Sequence, residues 1–131
     1  LLEPKSDVDQ GDLDFGNVAS SLADAGTFMY EYSEENITVE PGETKTVLEV
    51  NVSGTSGLRM VGTNDEQETL YQYKVDGEKL LTEPIPSPLG LYNNMYEFPD
   101  PIKVNTDFEV IVIKPDNASG PNDYYSNAVL Q

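Results

Sequence analysis

Residues 69–75 alternate, with Tyr71, Tyr73 and Val75 on one side and Gln72 and Lys74 on the other, and the run ends on Asp76-Gly77. An Asp-Gly pair flanked by alternating apolar residues asks for positive φ at both central positions, the geometry of a two-residue turn between antiparallel strands. Leu80 and Leu81 follow on the far side of the turn. A chain written this way folds into strands closed by tight turns, and the same pattern recurs along most of its length.

Residues 44–52 carry the clearest alternation. Thr46, Leu48, Val50 and Val52 share one face and Lys45, Glu49 and Asn51 the other, with Val47 out of step. That is a strand with one wet face. Phe28, Tyr30 and Tyr32 alternate with Met29 and Glu31, and residues 37–39 read as a short strand before a turn at Pro41-Gly42. After a break at Gly54 to Gly57, residues 58–63 return. Residues 108–113 are almost wholly apolar, as in a central strand, and residues 124–130 close the fold after a Gly/Pro/Asn turn over 115–123.

Prolines should interrupt the rest. Pro84, Pro86 and Pro88 predict a long loop over 83–94, packed down by Ile85, Leu89, Leu91 and Tyr92. Tyr96 and Phe98 form a short strand that Pro99 and Pro101 should end before another at 102–104. About eight short strands with turns every 8–12 residues and no long helix predict an all-β fold, an antiparallel β-sandwich of jelly-roll type.

Residues 1–26 differ. Glu3, Asp7, Asp9, Asp12 and Asp14 face a single Lys5, and residues 17–24 have a weak helical pattern through Ala19, Leu22 and Ala23 that ends before Gly26. We expect an extended acidic arm over 1–26, touching a neighbour through Leu13 and Phe15, or else a disordered tail, followed by the sandwich over 27–131. No stretch approaches the ~20 apolar residues of a membrane span. No signal-peptide pattern is present, and the start at Leu1 reads as a processed or trimmed end.

Composition bounds the chemistry. The chain has no His, Cys or Trp, and 24 acidic against 7 basic residues leave a net charge of -17. Disulfides, thiol chemistry and histidine-based catalysis are out, and the charge opposes both nucleic acid and anionic membranes. The acidity serves solubility through self-repulsion, or adaptation to high salt, where that repulsion is screened; six Lys against the single Arg59 fit the second reading less well. A glycosidase would need two carboxylates set about 5–10 Å apart over a sugar cleft, usually with aromatic platforms, so no enzymatic role and no cofactor is expected. Asp7, Asp9, Asp12 and Asp14 resemble a calcium loop, but the EF-hand register fails, with Asp12 where Gly is required and Val18 in place of the final Glu. At most they bridge calcium or another cation. Asn36, Asn51 and Asn117 head glycosylation triplets. Tyr124-Tyr125 and the Tyr92/Tyr96 pair are candidate contact platforms, with Ile85, Leu89 and Leu91 beside them, or else core aromatics.

The runs Thr44-Lys-Thr-Val-Leu-Glu-Val-Asn-Val-Ser-Gly-Thr-Ser-Gly57, Tyr71-Gln-Tyr-Lys-Val-Asp-Gly77, Pro88-Leu-Gly-Leu-Tyr-Asn93 and Phe98-Pro-Asp-Pro-Ile-Lys-Val104 stand in order over 44–114. Taken together they resemble small β-sandwich proteins of tailed viruses of bacteria and archaea. The resemblance implies a non-enzymatic virion component: capsid decoration, turret, spike, tail or receptor-binding module. It implies contacts with other virion proteins, a homo-oligomer with a trimer favoured, and a virion or extracellular location. A host surface glycan or receptor is a further implied partner, and the acidity would point to a halophilic, archaeal host. Two rivals stand beside it. Residues 37–47, Ile-Thr-Val-Glu-Pro-Gly-Glu-Thr-Lys-Thr-Val, also suit a secreted or cell-surface module of Ig-like or carbohydrate-binding type. A filament subunit that donates its N-terminal strand is the other.

Overall fold

In the computed structural model, which describes residues 29–131, the Asp-Gly turn forms as expected: Asp76 and Gly77 have φ of 54° and 82°. They join β4 (Leu70–Val75) to β5 (Glu78–Lys79), pairing Val75 with Glu78 and Lys74 with Lys79. The Asp76 side chain also ties this turn to its neighbour. Its carboxylate accepts hydrogen bonds from Thr106 N at 2.7 Å, Asn105 N at 3.0 Å, Asp107 N at 3.2 Å and the Thr106 hydroxyl at 3.0 Å. The Thr106 amide foremost, with the other donors, holds the Asp76 pKa down from 3.8 to about 2. A depressed carboxylate pKa adds stability above the unfolded value and loses it as pH falls through the folded one. The Asp76→Asn variant should therefore unfold more easily than the parent at neutral pH. The gap should close between about pH 4 and about pH 2, as read from urea midpoints across that range.

The remaining strands are β1 (Tyr30–Val39), β2 (Thr44–Asn51), β3 (Ser56–Thr63), β6 (Gly90–Leu91), β7 (Asn94–Val104), β8 (Asp107–Ile113) and β9 (Asn122–Leu130). They make two antiparallel sheets, β1-β9-β3-β7-β6 and β2-β8-β4-β5. The chain changes sheet at β1 to β2, β2 to β3, β3 to β4, β5 to β6, β7 to β8 and β8 to β9, the interleave of a jelly roll. Between the sheets lie Val47, Leu48 and Val50 of β2, Tyr71 and Tyr73 of β4 and Phe108, Val110 and Val112 of β8, packed with Leu58, Val61, Val104, Tyr124, Ala128 and Leu130 from the other layer. As its composition predicts, β8 is central in its sheet, between β2 and β4. The arm residues Asp7, Asp9, Asp12, Asp14, Leu13 and Phe15, the helical pattern at 17–24, and Phe28 all fall outside the described residues.

Four local readings change in the folded chain. The misfit of Val47 is a β-bulge: Thr46 opposes Ile111 and Leu48 already opposes Val110, so Val47 and Leu48 both turn into the core. β1 is one ten-residue strand, with Asn36 at φ 60° in an irregularity between Glu34 and Ile37. Pro99 and Pro101 do not end β7. The β3 ladder passes from Met60–Glu97 to Leu58–Ile102, so residues 98–101 bulge out of it, and the strand on the other side, β6, pairs only at Gly90 and Leu91. A proline that owes no ladder hydrogen bond costs the sheet little. Finally, Gln72 points away from the core yet is buried. The returning chain covers it: Gln72 Nε2 donates to Leu81 O at 3.0 Å, and Leu81 N donates to Gln72 Oε1 at 3.2 Å.

The stretch 83–94 packs down through Ile85 and Leu89, as expected, but it is not all loop: residues 90–91 form β6, β7 starts at Asn94, and Leu91 is exposed. Ile85 forms a bridge with Tyr71, and Leu89 N donates to the Tyr73 hydroxyl at 2.7 Å. Burial pushes that hydroxyl's pKa up to about 12, so Tyr73 keeps its proton.

Candidate functional site

The two sheets differ in width, and aromatic side chains mark the overhang. Cross-strand partners share a face. Tyr30 opposes Leu130, and Tyr32 opposes Ala128, both core residues. On the other flank Tyr96 opposes Val61, also of the core. Tyr30, Tyr32 and Tyr96 therefore lie on rows that continue the core face of the five-stranded sheet, yet they are 58%, 37% and 41% exposed. Leu91 is exposed as well. Burial, with Tyr30 adding to it, raises the Tyr32 pKa.

On the outer face of the same sheet, the turn after β6 folds over β9. Tyr92 packs edge-on against Tyr125, with centroids 5.8 Å apart, and its hydroxyl donates to Glu35 Oε2 at 2.9 Å. Burial first, then the Glu35 carboxylate, raise the Tyr92 pKa. Asn127 anchors the turn, donating from Nδ2 to Tyr92 O and to Glu31 Oε2, both at 3.1 Å. Its Oδ1 is buried with no hydrogen-bond partner.

The expected contact residues thus separate. Tyr92 and Tyr125 meet each other, whereas Tyr96 packs on Phe98 with centroids 5.0 Å apart. Ile85 and Leu89 pack against the core, and Leu91 is exposed. Tyr124 needs correction as a surface contact: it is wholly buried, edge-on to Tyr71 and hydrogen-bonded to Thr69, because the β9 alternation points it inward. The sequon residues Asn36, Asn51 and Asn117 are all exposed. The Ser119 hydroxyl of the third triplet is engaged, donating to Glu68 Oε1 at 2.7 Å.

That contact belongs to a polar cluster at the end of the sandwich where loops 64–69 and 115–121 meet. Glu68 stands at φ 56° and accepts from both the amide and the hydroxyl of Ser119, which hold its carboxyl below the usual range. Lys114, just past β8, is buried there beside Asn122. The sequence offers no signal for this group, since Lys114 reads as the polar end of an apolar strand. Glu49, Asp107 and Glu109 bring three carboxylates within 4.8 Å of one another, with Glu49 directly opposite Glu109 on β2 and β8. Their residue types suit a hard cation. Sequence reading overlooked them because they come from two strands.

Neither a family model nor a curated protein matches this chain. Among solved structures it is similar to the infectious bursal disease virus VP2 subviral particle, at 11% identity and a TM-score of 0.38, over 78% of this chain and 32% of that one. It is similar to infectious bursal disease virus Gt strain at 13% identity and a TM-score of 0.35, over 78% and 33%. For T=1 particles derived from infectious bursal virus the values are 10% and 0.36, over 78% and 30%. The chain spans about a third of the length of those chains. A likeness of this level carries no statement about its role.

Proposed function

We propose that this chain is a non-enzymatic virion structural module, of the capsid decoration, turret, spike or tail kind, that assembles with copies of itself and with other virion proteins. The observation that carries the reading is the overhang. Tyr30, Tyr32 and Tyr96 continue the core face of one sheet past the edge of the other and remain exposed. Apolar surface arranged in that way gains by being covered by another subunit. Copies related by closed symmetry would cover it without open-ended growth. The tailed-virus assignment rests on the sequence pattern over 44–114, and the halophilic host on the net charge of -17.

The runner-up is a secreted or cell-surface binding module, favoured by the exposure of Asn36, Asn51 and Asn117. Its Ig-like form fits less well, because an Ig sandwich groups its strands differently from the order seen in this chain.

Light scattering on the full chain, in dilute buffer and in multi-molar NaCl, separates the two readings. A closed oligomer, with a trimer favoured, should form and tighten with salt, because screening removes self-repulsion while apolar contact persists. Replacing Tyr30 and Tyr32 together by Ser should dissociate it without lowering the monomer's melting temperature. A monomer at both salts would sink the virion reading and favour the surface module.

A further inference from the structure

Lys114 is only 2% exposed. A lysine that deep normally pairs its ammonium with a carboxylate. Among the described residues, none lies within ion-pair distance of its Nζ. The amine meets an amide instead. Lys114 Nζ donates to Asn122 Oδ1 at 2.6 Å, and to Glu68 O at 3.5 Å. On the far side of the same amide, Asn122 Nδ2 donates to Glu66 Oε1 at 3.1 Å.

Glu66 is held in place from two directions. Its Oε2 accepts from Asn64 Nδ2 at 2.9 Å, and its backbone amide donates to the Tyr71 hydroxyl at 2.9 Å. That hydroxyl donates in turn to Asn64 O, also at 2.9 Å. An amine, a carboxamide and a carboxylate are therefore lined up, with the amine at the carbonyl and the carboxylate at the nitrogen that would leave.

We propose that Lys114 and Asn122 join in an intramolecular isopeptide bond, formed by the folded chain itself with Glu66 carrying the protons. The Lys114 ammonium gives up one proton, passed through the Asn122 amide that hydrogen-bonds to both groups, so that the Glu66 carboxylate is protonated and Lys114 becomes a neutral amine. Its lone pair adds to Asn122 Cγ, so the Nζ–Cγ bond forms while the carbonyl π pair moves to Oδ1. The adduct collapses, the carbonyl re-forms and the Cγ–Nδ2 bond breaks. Glu66 delivers its proton to the departing Nδ2. A second proton leaves Nζ by the same route, so nitrogen departs as ammonium. Alkylammonium plus primary amide gives secondary amide plus ammonium; atoms and charge balance, Glu66 ends as a carboxylate, and nothing is oxidised or reduced.

An unactivated amide is a poor electrophile, so the reaction depends on the fold. Well-oriented groups within one molecule react as if at effective concentrations of ~10⁵ M or more. Burial keeps water from competing for the amine. The product would tie the end of β8 to the start of β9, strands of different sheets.

Intact-mass spectrometry of the full, folded chain tests the proposal. The wild type should weigh less than its sequence by one ammonia, and denaturation should not restore the difference. Fragmentation should yield no separated products from backbone cleavage between positions 114 and 122. Lys114→Met and Glu66→Gln should each show the full sequence mass while keeping the β-sheet circular dichroism of the parent. A folded wild type that keeps its full mass after prolonged incubation overturns the proposal, as does an ammonia loss that maps elsewhere. Loss of ammonia in Glu66→Gln would overturn the part given to the carboxylate.

Discussion

Phe108→Ala should destabilise the fold by about 3–5 kcal/mol, the range for deleting a buried aromatic side chain. Phe108 is fully buried on the central strand β8, with Val50 opposite on β2 and Val75 opposite on β4. Its ring stacks on Tyr73, with centroids 6.4 Å apart and planes 7° from parallel. Tyr73 cannot easily move into the space, because its hydroxyl accepts the Leu89 amide at 2.7 Å. The cavity should therefore stay open, and its cost adds to the lost transfer energy. Against a total stability of roughly 5–15 kcal/mol this is a large fraction. Urea unfolding should show a lower midpoint with an unchanged slope. A loss below about 1 kcal/mol would mean that the core repacks around the gap and that Tyr73 is not held as described.

Gly62→Ala should have the next largest effect, for the opposite reason. A Cβ on Gly62 would lie 2.1 Å from Leu91 O, 2.7 Å from Leu91 C and 2.9 Å from Met95 Cγ. The first two are backbone atoms, so the hairpin formed by β6 and the start of β7 must lift off β3. Overpacking of this kind costs about 1–3 kcal/mol and sometimes more. The displaced segment includes Tyr92, so its contacts with Tyr125 and Glu35 should loosen together, visible in the tyrosine ring resonances. Gly90→Ala strikes the same hairpin from the other side. Gly90 stands at φ 74°, and a Cβ there would meet Tyr96 N at 2.1 Å. Because either change displaces one element, the double variant should be less destabilised than the sum of the two. Full additivity would show that the two glycines act separately.

How much was legible in the chain follows from how local each signal is. The turn at Asp76-Gly77 could be read because its φ requirement belongs to two adjacent residues. The central position of β8, between β2 and β4, could be read because its apolar residues crowd adjacent positions of the sequence. The prolines misled at residues 99–101, since whether a proline breaks a strand depends on whether a partner needs its missing N–H, and that partner lies elsewhere in the chain. Gln72 misled likewise: the alternation correctly placed it away from the core, but only the returning chain at Leu81 decided that it would be buried. Tyr124 and Tyr125 are adjacent and alike, and only the orientation of β9 sent one inward and the other outward.

The sequence by itself determined an all-β chain with tight turns at predictable points, and a composition without His or Cys and with a net charge of -17. Those properties depend on neighbouring residues or on sums over all of them. Only the tertiary structure decided the jelly-roll strand order, the aromatic overhang and the meeting of Lys114, Asn122 and Glu66. The last two of these stand 56 positions apart, and no pattern along the chain relates them. Their contact exists because strands from two sheets end at the same place, so a lysine that closes an apolar run comes to rest against an amide from another strand.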